Sequence, residues 1–408
     1  MSVDDFKLLD PGTLAEPYAY WSALREQAPV HSVSEGAGFT IVTRYEDVKA
    51  ALRMPDVFSN QLSRRFLGGM SAYADSPAVA EVMAKGCPYS DALAFSDGEV
   101  HSRHRSMVRR GFTLKRVKEL EEVITRTVNE LLDGLPTDQE VDLWPFCVQV
   151  PVRMIAHILG VDQKHAADVK RWGDAQVARF GEPRATEQEN LRIANDLVDF
   201  HTYLYRQIAD RREHPKDDFL SDLVQAADGS SDNELVLVLA QLLVAGSESS
   251  SSLIASLVDQ LIRRPDLMER LRADRSLVPG AVEEALRAES PIKLVYRITT
   301  RDVELGGTTI PADTVVLLMI ASANRDDDMF PDPEDFALGR EDARKHFAFG
   351  MGTHLCSGAE LARAEGRIAL NLLLDRTSSI ERGGDEPAHP PNLTVRALED
   401  LMVVLRPA

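Results

Sequence analysis

Apolar residues recur at helical spacing along most of the chain, and this pattern excludes more architectures than any other feature. Residues 17–27, 45–53, 115–133, 149–159, 187–211, 232–263, 265–273 and 278–289 all read as helices. Strand signals are short and lie towards the two ends. VHSVS (30–34) and FTIVTR (39–44) flank the turn residues EGAG and read as a hairpin. VELGGTTIP (303–311) reads as a tight hairpin around Gly306-Gly307, with VVLLMIASA (315–323) as a strand and LTVRALEDLMVVL (393–405) as terminal strands. The order of strand, helices, strands, helix and strand is not the alternation of a doubly wound sheet. The predicted fold is mainly α with a small β region, in two or three average domains or one large domain over residues 1–408. Its β-rich part covers approximately 28–60, 292–323 and 393–406, and its helical part 95–290 and 356–376. Residues 60–95, broken by Gly68-Gly69, Pro77, Gly86 and Pro88, read as a loop-rich binding lid or surface loop.

Charge and cysteine usage narrow the function. Lys and Arg number 46 against 65 Asp and Glu, a net charge of −19. That balance disfavours nonspecific nucleic-acid binding. No uninterrupted apolar run of about 18 residues suggests a membrane span. The opening MSVDDFKLLDPG has neither the basic nor the apolar part of a leader, so the expected location is the cytoplasm, without a membrane anchor. Three scattered cysteines, Cys87, Cys147 and Cys356, suggest neither a disulfide framework nor structural zinc.

Cys356 stands in FGMGTHLCSG (349–358), directly before a helical run. Gly350 and Gly352 let the backbone turn tightly and approach a flat object. Amides of a helix beginning near Ser357 favour a thiolate, with His354 as a further donor. On these grounds alone Cys356 is a nucleophile, a metal ligand or a buried core residue. The stretch resembles the Phe-Gly-x-Gly-x-His-x-Cys-x-Gly signature of the cytochrome P450 superfamily, bacterial type, at Phe349, Gly350, Gly352, His354, Cys356 and Gly358. The resemblance implies that Cys356 is the axial thiolate of haem b, iron protoporphyrin IX, a ligand that favours O–O cleavage. It also implies that Phe349 packs near the sulfur and that His354 pairs with a haem propionate.

Three distant stretches extend the resemblance over nearly the whole chain. In EEALR (283–287), Glu284 and Arg287 share a helix face and resemble the family's Glu-x-x-Arg brace. The usual third arginine is replaced by Asp335 in PEDF (333–336), which leaves Arg325 or Arg340 to substitute. SDGEVHSRHRSMVRRGF (96–112) resembles the propionate-binding helix. His101 and Arg105 stand one turn apart there, and Arg297 in VYRITTRD is the implied third propionate partner. LLVAGSESSSSLIASLV (242–258) resembles the oxygen-binding helix, with Ala245 and Gly246 matching and Glu248 as the acid. Ser249 stands where threonine is usual. It keeps the hydroxyl but loses the methyl group that fixes the rotamer. The implied role of Ser249 with an ordered water is to relay protons from Glu248 towards dioxygen.

The implied activity is a monooxygenase that inserts one oxygen atom of O2 into a hydrophobic substrate by C–H hydroxylation, epoxidation or O-dealkylation. Electrons are expected from NAD(P)H through ferredoxin reductase and ferredoxin, delivered to a monomer. Arg103, Arg109, Arg110, Arg344, Lys345 and Arg363 are the expected basic dock. A peroxygenase or isomerase without redox partners is the alternative. A noncatalytic haem sensor and a Cys356–His354 hydrolase are further readings. Expected pocket residues are Phe66, Met70, Leu93, Phe95, Trp172, Phe180, Leu242, Ala245, Leu294, Val295 and Val395. Lys293, beside them, is expected to point to solvent or to bind a substrate carboxylate.

Overall fold

A computed structural model describes residues 2–33, 38–61, 76–161, 166–181, 186–227 and 229–408. In chain order the main helices are α1 (Tyr18–Gln27), α2 (Tyr45–Leu52), α3 (Gly98–Gly111), α4 (Leu114–Asp133), α5 (Trp144–Ile158), α6 (Ala166–Gly181), α7 (Glu187–Glu213), α8 (Asp232–Arg263), α9 (Pro265–Ala273), α10 (Val278–Ala288) and α11 (Ala359–Arg376). The strands are β1 (Val30–Val33), β2 (Phe39–Val42), β3 (Phe58–Ser59), β4 (Glu140–Asp142), β5 (Val295–Thr299), β6 (Val303–Leu305), β7 (Thr308–Ile310), β8 (Val315–Leu318), β9 (Thr377–Arg382) and β10 (Met402–Pro407). The long periodic segments form the expected helices within a few residues. α7 begins at a capping box in which Thr186 and Glu189 satisfy each other's backbone amides. α8 is long and apolar enough, by length and composition, to cross a membrane, but 61% of its apolar window is buried inside the protein.

The chain groups into two compact units, with boundaries at the end of β3 and within α4, α5 and α8. The first comprises Met1–Ser59, Lys118–Pro151 and Glu248–Ala408. It holds every described strand. A five-stranded sheet runs β1-β2-β8-β5-β3, a three-stranded sheet β4-β10-β9, and β6-β7 form the Gly306-Gly307 hairpin. β2 and β8 pair in parallel and the other neighbours antiparallel. All four residues of β8 are buried, as a central strand covered on both faces requires. Tyr45 stacks on Phe347 at 4.4 Å between ring centroids and meets Phe330 edge-on at 5.7 Å. This core anchors the chain two residues before Phe349.

Two expected strands are shorter than anticipated. The 315–323 strand ends at Leu318, and a short helix, Ile320–Ala323, follows. Asn324 ends that helix. Its side chain donates to Ser290 Oγ and accepts from Phe347 N, which fixes the turn. In 393–405, Val395 makes only an isolated bridge to Ile292, and pairing resumes at Met402. The Asn392 side chain takes the Thr394 and Val395 amides that a strand would use.

The second unit comprises Asn60–Val117 and Val152–Ser247, and its described residues form helices, turns and loops but no strand. α6, a helix the periodicity did not single out, packs Ala175 against Ile193 and Leu197 of α7. Within 60–95 the structure places a short helix, Pro77–Met83, and a 3-10 turn, Leu93–Phe95.

Candidate active site

The cysteine loop is built by hydrogen bonds rather than by packing. Gly350 N donates to Phe347 O at 2.7 Å, and Cys356 N donates to Phe349 O at 2.8 Å. Gly350 and Gly352 have φ of +68° and +71°, a region that suits glycine. A Cβ on Gly352 would stand 3.0 Å from the Leu52 carbonyl oxygen. α11 begins at Ala359 with Gly358 as its cap, slightly later than expected. Cys356 is exposed, beside Leu355 at 45% exposure. An exposed thiol and an exposed leucine on a rigid glycine loop fit a flat, apolar, iron-bearing macrocycle, because thiolate is the soft ligand such an iron takes. No three His, Cys, Asp or Glu side chains among the described residues come together as an alternative metal site.

A buried network holds the loop. Glu283 Oε1 accepts from Arg363 Nε at 2.6 Å, and its Oε2 lies 3.2 Å from His346 Nε2. His346 Nδ1 accepts from Ala348 N, so the ring proton resides on Nε2 and points at Glu283. Burial opposes the Glu283 charge, but the His346 and Arg363 hydrogen bonds overcome it and hold this carboxyl down at about 2. The Arg363 guanidinium also lies 4.6 Å from the Phe349 ring centroid. Arg363 is therefore part of the loop's support.

The neighbouring Glu284 forms the expected brace. Arg287 Nε and Nη2 donate to its two oxygens, each at 2.9 Å, and both side chains are fully buried. The remaining Arg287 donors reach the carbonyls of Asn324, Pro333 and Asp335. Arg340 is the third member, with Nε donating to Glu284 Oε1 at 3.0 Å. Arg325 instead serves Glu289, Glu334 and the Ala288 carbonyl. Asp335 contributes its backbone carbonyl, which accepts from both Arg287 and Arg340.

In the first unit, Glu248 and Ser249 are half-buried on α8, and Arg297 on β5 is buried with Nη1 donating to Tyr296 O. His354 ends a short 3-10 turn beside Cys356. In the second unit, α3 carries a buried His101 and a half-buried Arg105 one turn apart. Ala245 is exposed on α8, and a Cβ on Gly246 would stand 3.3 Å from Ile155.

The sequence reading missed Glu365. It lies on α11, 1% exposed, with Oε2 buried and unpartnered among the described residues. Burial lifts its carboxyl to about 8, against the pull of a hydrogen bond with Ser250. Nothing in AELARAEGR distinguishes it from a surface acid.

Several expectations are corrected. Lys293 is buried, and its Nζ donates to the Leu14 carbonyl at 2.8 Å. Burial, with Arg396 nearby, lowers its ammonium to about 8. It fastens the N-terminal segment and faces neither solvent nor ligand. Trp172 is buried, stacked on Phe200 at 4.9 Å with its indole N–H donating to Asp199. Arg103 is paired with Glu234, whereas Arg109 and Arg110 are exposed. Arg344 and Lys345 are also exposed, Lys345 in an ion pair with Asp342. Leu93, Leu242 and Leu294 are buried, and Phe95, Val295 and Val395 are half-buried. Phe66, Met70 and the Phe180 side chain lie outside the described residues.

The family model for cytochrome P450 matches residues 177–398. The vitamin D(3) 25-hydroxylase of Pseudonocardia autotrophica is 35% identical over 402 residues, covering 96% of this chain and 94% of that protein. The 6-deoxyerythronolide B hydroxylase of Saccharopolyspora erythraea is 33% identical over 400 residues, covering 95% and 96%. Among solved structures, the cytochrome P450 CYP109Q5 of Chondromyces apiculatus aligns with a TM-score of 0.85 at 33% identity, covering 99% of this chain and 98% of that one. CYP109E1 of Bacillus megaterium, solved in complex with testosterone, aligns with a TM-score of 0.82 at 31% identity, covering 96% and 98%. The chain is thus an oxidoreductase with the P450 fold and a cysteine-ligated haem cofactor, and it belongs to the cytochrome P450 family of monooxygenases.

Proposed function

We propose that this monooxygenase places one atom of O2 into a bulky apolar substrate, foremost by C–H hydroxylation, using electrons from NAD(P)H through a ferredoxin reductase and a ferredoxin. It works as a cytoplasmic monomer. The observation that carries the reading is the cysteine loop, an exposed thiol on a backbone fixed by Phe349 O and two left-handed glycines. Haem bound there supplies the electron-accepting iron and the dioxygen chemistry.

The chain's residues do the rest. Cys356 is the thiolate ligand, Phe349 shields its sulfur, and Gly350 lets the backbone approach the ring. His101, Arg105, Arg297 and His354 neutralise the propionates. Two carboxylates opposite four donors make a charge-matched set. Ala245 and Gly246 keep side chains out of the space where a small molecule is bound. Glu248 supplies protons, and the Ser249 hydroxyl holds the water that carries them. Leu93, Phe95, Leu242, Leu294, Val295 and Val395 are the proposed apolar lining, so substrate binding is driven by apolar burial. Relatives named for vitamin D(3) and solved with testosterone make steroid-like polycycles the first class to test.

The test is spectroscopic and then catalytic. The ferrous carbon-monoxide complex is expected to show the red-shifted band of thiolate ligation, absent in Cys356→Ser. A steroid panel is expected to move the ferric spectrum from low to high spin. With a reconstituted ferredoxin pair, Ser249→Ala is expected to divert electrons from product to peroxide. Unchanged coupling overturns the Ser249 role, and turnover by peroxide alone, at the rate of the ferredoxin system, overturns the electron route.

A further inference from the structure

Ala92, Leu93 and Ala94 lie in the second unit, in a backbone shape that leucine does not favour. Leu93 has φ of +41° and is nevertheless buried. A left-handed non-glycine residue costs on the order of 1–2 kcal/mol and persists only where its surroundings impose it. Two side chains from different helices do so here. Gln241 of α8 donates through Nε2 to Ala92 O at 2.9 Å and accepts from Ala94 N through Oε1 at 3.1 Å. Its amide thus grips both sides of Leu93. His104 of α3 accepts from Leu93 N through Nδ1 at 3.1 Å. Because Nδ1 accepts, the ring proton is on Nε2, which lies 3.1 Å from Glu234 Oε1. Glu234 is itself fixed by Arg103 and by the Ser231 amide and hydroxyl. Gln241 stands one helical turn before Ala245, so the clamp ties the 92–94 segment to the stretch of α8 that leads into the proposed oxygen-handling residues.

We propose that Gln241 and His104 are positioning residues for substrate specificity: together they hold Leu93 in its strained conformation so that it presents a fixed apolar wall to the ligand. This rests on the reading of Leu93 as a pocket residue, and the experiment separates the two. Neither clamp residue is predicted to touch the substrate.

The probes are imidazole and phenylimidazole, both of which bind a ferric haem through nitrogen and are read in the optical spectrum of the holoenzyme. Imidazole reports the haem alone, and the phenyl group extends towards the pocket wall. Gln241→Leu and His104→Gln remove grip on the segment, the latter keeping a donor towards Glu234 but losing the acceptor for Leu93 N. His104→Asn keeps that acceptor and loses the Glu234 link. Phenylimidazole affinity relative to imidazole is expected to fall by about two- to ten-fold in the first two variants, the range of one hydrogen bond's net worth, and to be retained in His104→Asn. A ratio that is unchanged or raised in Gln241→Leu and His104→Gln, or that falls equally in all three, overturns the clamp. Leu93→Ala serves as the second arm. If it leaves the ratio unchanged, the pocket reading of Leu93 falls, and the clamp's role in specificity falls with it. If it moves the ratio while the clamp variants do not, the pocket reading stands and the clamp alone fails.

Discussion

Replacing Glu365 by glutamine keeps the shape of the side chain and removes its titration. The carboxyl is buried against Ser250 and is lifted from an ordinary 4.5 to about 8. At about 1.4 kcal/mol per tenfold in proton affinity, that interval is worth on the order of 5 kcal/mol. The sign follows from which state holds the proton. Below 4.5 both folded and unfolded chains are protonated, and this group's contribution is fully present. Between 4.5 and about 8 the unfolded chain ionises while the folded one keeps its proton, so stability falls as pH rises. Above about 8 both are ionised and the loss is complete. Glu365→Gln lacks this term. Urea unfolding of both holoproteins, followed by far-ultraviolet circular dichroism, is expected to show the variant gaining roughly 4 kcal/mol on the parent between about pH 5 and about pH 8. Other titrating groups are common to both proteins and cancel in the difference. The glutamine's extra N–H donors add only a constant offset. A difference that stays flat across this range refutes the argument, for it means that Glu365 ionises in the folded protein as it does in water.

The brace and the loop give two further expectations. Arg340→Met leaves Glu284 with Arg287 and the Ala337 amide and is expected to cost about 1.5–3 kcal/mol, as loss of a charged hydrogen bond does. Arg287→Met removes both of its 2.9 Å donors from a fully buried carboxylate and leaves only Arg340 and the Ala337 amide, both on Oε1; it is expected to cost about 3–5 kcal/mol, and equal urea midpoints for the two variants would contradict this ranking. Gly352→Ala combines a left-handed backbone, worth about 1–2 kcal/mol, with a 3.0 Å contact to a carbonyl that has no freedom to rotate away. The ratio of haem to protein after purification is expected to drop, and full occupancy would show the loop to be softer than its geometry indicates.

Legibility in the sequence followed the range of the interactions. The oxygen-type helix, Asp232–Arg263, was readable to its ends because its apolar repeat is local. The sheet was only partly readable. β2 and β8 pair across more than 270 residues, and the two residues of β3 carry no pattern of their own. The cysteine motif was readable because its residues are contiguous. Its supports were not. Glu283 and His346 lie 63 positions apart and become partners only in the fold. Asp335 was a visible departure from the usual motif, but the choice of Arg340 over Arg325 depended on which guanidinium reaches a carboxylate with no exposure at all. Lys293 was misread and Glu365 missed for a shared reason. Composition reads a charged side chain as solvated, and only the surrounding chain reveals when it is not.

Residues at the start of the chain are secured by residues near its end. Lys293 holds the Leu14 carbonyl, and Arg396 holds that of Ala15 at 2.9 Å across 381 positions. Glu289 accepts from Tyr18, Arg325 and Arg396 together. During synthesis on a ribosome, which delivers residues in order, the Leu14 carbonyl must wait for Lys293 and that of Ala15 for Arg396. Two neighbouring carbonyls are therefore secured at different stages, and a nascent chain whose Arg396 has not yet left the exit tunnel can hold Leu14 but not Ala15 in this way.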